Sequence, residues 1–236
     1  MNNEYQVASQ TGLGRFFAKV YAWVAAGLFL SAATSFVLLY TNSFISQFFW
    51  TLVYNTNGLI IWGFVILEFI LVFSLRIKNG KLKSTPVTIS GYILYSVVSG
   101  ITLSVILLAY TDSSILNAFL STVVTFGGMS LLGFVTKKDL SGIGGALLSA
   151  LLGLIIASVV NLVLLQSETG DFILSIITVI IFSGLTAYDT QKCKVLYAHY
   201  GETEMANSIA INCALELYLD FINIFIALLR IFGKRR

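Results

Sequence analysis

Four carboxylates interrupt long apolar stretches of this sequence: Glu68, Asp189, Glu216 and Asp220. An ionised carboxylate at membrane depth is costly unless it is paired or hydrated, so each of the four is a functional candidate by default. Asp220 stands mid-way along the last apolar block, and Glu216 is four residues before it. Residues four apart share a helix face. Adding Asn212 and Asn223 draws a polar line through 212, 216, 220 and 223 on an otherwise apolar helix. Such a line faces a protein interior or a water-filled path rather than lipid, which makes this helix central. A structural hydrogen-bond seam between helices would give the same pattern. Asp189 closes the sixth apolar block, within Tyr188-Asp189-Thr190-Gln191. Glu68 lies inside the second, with Arg76 eight residues later at its end. Arg76 either snorkels to the interface or is the cation that holds Asp189 ionised.

Two neighbouring carboxyl groups cannot both ionise cheaply, so they share a proton. A shared proton is a latch between helices. Its loss leaves like charges that repel or that invite a cation. Carboxylate oxygens are hard ligands that suit Ca²⁺ better than soft metals, so Asp189 and Asp220 are candidate Ca²⁺ contacts, with Glu216, Glu68, Asn223 and Asn212 along the ion path. The chemistry points to a proton-sensitive cation path. It does not choose between a leak, an exchanger and a sensor.

The elements that must carry these residues are membrane helices. Of 236 residues, 57% are hydrophobic and 11% charged, against about 25% charged in soluble domains. Apolar blocks fall at 20–40, 59–75, 87–110, 115–135, 142–165, 172–188 and 209–232. Backbone polar groups must be satisfied internally in lipid, and long blocks without alternation exclude a barrel. The expectation is an all-α polytopic membrane protein of seven transmembrane helices with the last one central: a polar N-terminal tail 1–19, a single membrane domain 20–232 and a basic tail 233–236. The first block suits a retained span better than a cleaved leader. Pro86 fits a helix start. With the N-terminus cytoplasmic, Lys and Arg gather in the inside connections, and none occurs in 41–58, 111–114 or 166–171. The tail Arg230, Lys234, Arg235 and Arg236 strains that rule, because seven spans carry it outside.

Gly145, Ser149 and Gly153 recur every four residues and offer a face for close helix packing. Trp50 and Trp62 suit interfacial anchoring. Cys193 and Cys213 lack metal-site spacing and read as reduced thiols. His199, the one histidine, reads as a solvated loop residue. The scattered basic residues are not a nucleic-acid footprint.

Several segments resemble the Bax inhibitor family of membrane proteins. They are Gly184-Leu185-Thr186-Ala187-Tyr188-Asp189-Thr190-Gln191-Lys192, then Leu217-Tyr218-Leu219-Asp220-Phe221-Ile222-Asn223-Ile224-Phe225, and Leu228-Leu229-Arg230. Ser99-Gly100-Ile101-Thr102-Leu103-Ser104, Glu68 and the Lys-Lys-Asp-Leu turn at 137–140 are similar too. The resemblance implies seven helices with the last enclosed by six others, and a pH-sensitive Ca²⁺ leak. It implies that Asp189 and Asp220 form a hydrogen-bonded pH-sensing pair, with an arginine near the end of the second helix, here Arg76, beside them. Glu216 departs from the family pattern by adding a carboxylate next to the pair, and Ser99 stands where an Asn is expected.

Two other classes compete. Intramembrane aspartyl proteases also use a Tyr-Asp motif, but their second aspartate follows Gly-x-Gly, whereas Leu217-Tyr218-Leu219 precedes Asp220; no enzyme activity is expected. A regulator of other membrane proteins, such as a membrane protease or a cell-death factor, would act through residues 1–14 or an exposed loop 192–208, with structural carboxylates. The expected partners are the lipid bilayer, protons and calcium ions, with Ca²⁺ as a transported ion and no permanently bound cofactor. The expected location is a bacterial inner membrane.

Overall fold

The computed structural model describes residues 2–75, 84–201, 203 and 205–236, with side chains from residue 12 onward. The described chain is helical almost throughout. In order, the helices are α1 (Asn2–Tyr40), α2 (Phe44–Asn55), α3 (Leu59–Leu75), α4 (Thr85–Leu107), α5 (Asp112–Val135), α6 (Ser141–Val160), α7 (Glu168–Tyr200) and α8 (Ala206–Phe232). A five-residue π turn, Asn161–Leu165, extends α6. Asn161 is buried there. Its Nδ2 donates to Asp171 Oδ1 at 2.7 Å and to Ser167 O at 3.2 Å, joining the end of α6 to the start of α7.

Among the described residues, five helices are long and apolar enough to cross a membrane, or six if α2 and α3 count as one bent span. The expected count of seven is therefore not reached on length and apolarity alone. The last helix, α8, is not in that set. It is the most enclosed helix: Ile209, Ala210, Cys213, Ala214, Leu217, Tyr218, Ile224 and Leu229 have no exposed surface. The outer helices do the reverse, turning Phe29, Phe69, Val124, Ile156 and Ile180 outward. Apolar side chains on the outside and polar ones on the enclosed helix are the distribution lipid demands.

Two expectations about connections need correction. Segment 41–58 is not a simple loop: α2 occupies most of it and meets α3 at a bend of 108°. Asn57 (φ 49°) and Gly58 (φ 79°) make that turn in the left-handed region. The polar stretch after Asp189 continues α7 to Tyr200 rather than opening a loop at 192. Trp50, expected as an interfacial anchor, donates its Nε1 to Leu38 O at 2.8 Å and ties α2 to the end of α1.

The chain groups into two compact units, Met1–Ala109 with Tyr197–Leu215, and Tyr110–Leu196 with Glu216–Arg236. In the first, α1 and α4 approach closely. Ser31 Oγ and Ser35 Oγ donate to Ser96 O and Gly100 O, each at 2.7 Å. A Cβ on Gly100 would lie 2.6 Å from Ser31 O, so only glycine allows this approach.

In the second unit, the ends of α5 mark two opposite sides about 36 Å apart. At its start, Thr111 N donates to Lys234 O at 3.1 Å, Lys234 N donates to Ser114 Oγ at 2.9 Å, and Arg236 pairs with Asp112. At its other end, Lys194 Nζ donates to Phe134 O and Gln191 Nε2 to Lys138 O, both at 2.8 Å. The basic tail thus lies at the end opposite Lys138 and Lys194. The positive charge that strained the topology is partly neutralised by Asp112.

The face expected to pack through Gly145, Ser149 and Gly153 has no such contact among the described residues. Nothing lies within 4 Å of a Cβ on Gly145 or Gly153, and Ser149 bonds back to Gly145 O at 3.1 Å on its own helix. The close approach falls on Gly144 instead, whose Cβ would sit 2.4 Å from the Tyr188 ring.

Candidate functional site

The motif 184–192 on α7 meets a different neighbour at almost every residue. Gly184 lies against Leu147 of α6, where a Cβ would be 2.7 Å from Cδ1. The backbone of Ala187 lies against Gly133 of α5, where a Cβ would be 2.2 Å from Ala187 O. Tyr188 packs on Gly144. Thr190 Oγ1 is 3.0 Å from Ser130 Oγ of α5. Gln191 grips the α5–α6 turn from both ends of its amide, accepting from Leu140 N and donating to Lys138 O. That turn is itself capped, because Asp139 accepts from Ser141 N and Ser141 Oγ, each at 2.9 Å; these bonds hold its carboxyl below the ordinary range.

Thr186, Asp189 and Lys192 of the motif face α8. Thr186 is fully buried and its hydroxyl is hydrogen-bonded to the Asp220 carboxyl. Asp189 is close enough to Asp220 to interact with it electrostatically, as is Glu216. Asp220 is buried, and its Oδ2 has no hydrogen-bond partner among the described residues. A buried acceptor left unpaired costs about 1–3 kcal/mol, and unpaired buried groups of this kind concentrate where function requires them. Lys192 Nζ lies 2.6 Å from Glu216 Oε1. The same ammonium interacts electrostatically with Asp189 and Asp220.

The structure therefore brings together three of the expected carboxylates, Asp189, Glu216 and Asp220, on two facing helices. It adds two residues that the expected site did not include, Lys192 and Thr186. Their spacing was the available signal, because both are three residues from Asp189 and share its side of α7. Glu216 is an ion-pair partner here, with 18% of its side chain exposed.

The other expected residues sit differently. Glu68 belongs to the first unit and accepts from Thr102 Oγ1 of α4 at 2.6 Å. Asn212 and Asn223 each donate to the carbonyl one turn back on α8, Ser208 O at 2.9 Å and Leu219 O at 2.8 Å. Arg76, the expected cation beside the pair, lies outside the described residues. No group of three or more His, Cys, Asp or Glu side chains among the described residues is arranged to hold a metal ion. Cys193 and Cys213 are buried free thiols.

Comparison with known proteins decides the family. Residues 13–236 match the family model described as inhibitor of apoptosis-promoting Bax1. The chain belongs to the Bax inhibitor family. Among its relatives, the inner membrane protein YbhL of Escherichia coli is 41% identical over 232 residues, covering 98% of this chain and 96% of its own. A membrane protein of Streptococcus pyogenes is 41% identical over 228 residues, covering 96% and 95%. A protein of Borreliella burgdorferi is 37% identical over 223 residues, covering 94% and 93%. Every residue of the α7–α8 cluster falls within the family match.

Proposed function

We propose that this Bax inhibitor family protein is a pH-sensitive calcium leak of the bacterial inner membrane, gated by a proton shared between Asp189 and Asp220. The observation that carries the reading is the buried Asp220 carboxyl, with Oδ2 unpartnered beside a second aspartate. In this reading α8 is a seventh span enclosed by the others. It is about 40 Å long, enough to cross, and the N-terminus is cytoplasmic.

With one proton between them the two aspartates carry a single negative charge and hold α7 to α8. Without it, two like charges face each other in a poorly hydrated place, and a cation is drawn in. Glu216 is balanced by Lys192 and does not add to that charge. Thr186 couples the proton to the backbone. Its hydroxyl has one hydrogen, which it donates to Phe182 O at 2.7 Å while the carboxyl proton is shared between the two aspartates. When Asp220 loses its proton, the hydroxyl turns to donate to the carboxylate.

The test is Ca²⁺ flux into proteoliposomes from about pH 5 to 9, for the native chain and for Asp189→Asn, Asp220→Asn and Glu216→Gln. Flux that varies with pH and loses that dependence in either aspartate variant is the expected result. Absence of flux in every form, or aspartate variants that match the native chain throughout, would instead favour a regulator of other membrane proteins.

A further inference from the structure

We infer that Lys192 is a tethered ammonium, docked on Glu216, that occupies the acidic cluster a free cation must enter. The inference rests on the cation-path reading above and names the residue that controls entry.

Three observations carry it. Lys192 Nζ is 2.6 Å from Glu216 Oε1, and its charge also acts electrostatically on Asp189 and Asp220. Helix spacing builds this arrangement. Asp189 and Lys192 are three apart on α7, and Glu216 and Asp220 are four apart on α8, so two short polar faces meet. Finally, Asp220 keeps a buried oxygen that no group among the described residues satisfies. The cluster therefore has acceptor capacity left over beyond what its resident cation uses.

Lysine suits this role. An ammonium is a compact point charge on a flexible four-carbon stem, and 37% of the Lys192 side chain is exposed. The stem can swing outward without unfolding a helix. The other nearby lysine, Lys194, is held elsewhere, by Phe134 O and over the Phe134 ring. With Lys192 docked, an incoming Ca²⁺ meets the ammonium that already holds Glu216. With Lys192 displaced or removed, that positive charge is gone.

The experiment uses the full chain and two readouts: Ca²⁺ flux in proteoliposomes, and Tb³⁺ luminescence as a direct measure of cation binding. Lys192→Met is expected to raise Tb³⁺ affinity and Ca²⁺ flux by on the order of tenfold, while Lys192→Arg stays close to native. Lys192→Met leaves Glu216 unpaired and could fold poorly, so a second comparison is made on a neutral background. There, Lys192→Met with Glu216→Gln is expected to bind Tb³⁺ several-fold more tightly than Glu216→Gln alone, because only the ammonium differs. If both comparisons show no gain in binding, the tethered-cation assignment is overturned, whatever the flux. If binding rises as expected but no variant passes Ca²⁺, the leak reading fails and the assignment of Lys192 stands. If native flux is present and Lys192→Met changes neither readout, the leak reading stands and the assignment falls.

Discussion

Gly133 offers the sharpest test of how α7 is held in place. An alanine there would put its Cβ 2.2 Å from Ala187 O and 2.8 Å from Ala187 C and Cα. All three are backbone atoms of α7, so no side chain can turn aside. Carbon and carbonyl oxygen settle at about 3.3 Å or more, so α5 and α7 must part by about 1 Å. Overpacking of this kind costs about 1–3 kcal/mol.

The same helix supplies its own control. Gly127 and Gly128 are exposed, and nothing lies within 4 Å of a Cβ on either. Alanine at those positions should gain about 0.5–1 kcal/mol, because glycine is the poorer helix former. Gly133→Ala carries the same propensity gain, so it should be about 1–3 kcal/mol less stable than Gly127→Ala through the overpacking alone. The assay is reversible unfolding in mixed micelles titrated with a denaturing detergent, followed by loss of helical ellipticity. If Gly133→Ala proves as stable as Gly127→Ala, the close α5–α7 contact is not present in the folded protein, and the positioning argument for Thr186 and Asp189 fails with it.

Two further outcomes are expected. In α2, the exposed apolar Ile45 and the exposed polar Gln47, on opposed sides of the helix, with the 108° bend to α3, fit a helix lying along the membrane surface. An environment-sensitive fluorophore on a cysteine introduced at 45 should be quenched by lipid-borne quenchers, and one at 47 by aqueous iodide. The native cysteines are both buried and give little background, and equal aqueous quenching at both sites would exclude that orientation. At the α5–α6 turn, the Asp139 carboxyl is held low by Ser141. A depressed group stabilises the fold above its unfolded value, about 3.9, and that contribution is lost as pH falls through the folded value. The stability gap between the native chain and Asp139→Ala should thus be full near neutral pH and close below about pH 4; a gap that persists in acid refutes the cap.

The sequence made the long helices legible because apolar runs end at polar residues. The second block coincides with α3, and the fourth differs from α5 only by the turn residues at its start. Helix α2 was not legible, since it mixes Ser, Gln and Thr among its aromatics, with inward, lipid-like and polar faces in only twelve residues. The polar end of α7 was read as loop because polarity and helix breaking are different properties: 189–200 contains no proline or glycine. The carboxylates at 189, 216 and 220 were legible as a cluster because charge within an apolar block has few explanations. Lys192 was not. Counted by sign, it is one more basic residue at a helix end, and its pairing with Glu216 depends on the rotational setting of α7 against α8, which local sequence does not encode. The stripe at 145, 149 and 153 shows the opposite limit, because small-residue spacing marks a face but not whether anything covers it.

The contacts of α7 also decide which of its joints a proton can work. Toward α5 and α6 the motif is fastened by Gly133 against the Ala187 backbone, by Gly144 under Tyr188, by the Ser130–Thr190 hydroxyl pair and by the two-ended grip of Gln191. None of these contacts involves an acid, so none depends on protonation. Toward α8 the motif is linked by Thr186 to Asp220, Asp189 to Asp220, and Lys192 to Glu216, and each of these three includes a carboxyl group. In the proposed gating, a change of a single proton at the aspartate pair therefore acts on the joint with α8 and on none of the contacts just named with α5 and α6. Displacement of α8 along that joint is what the proposed gating requires.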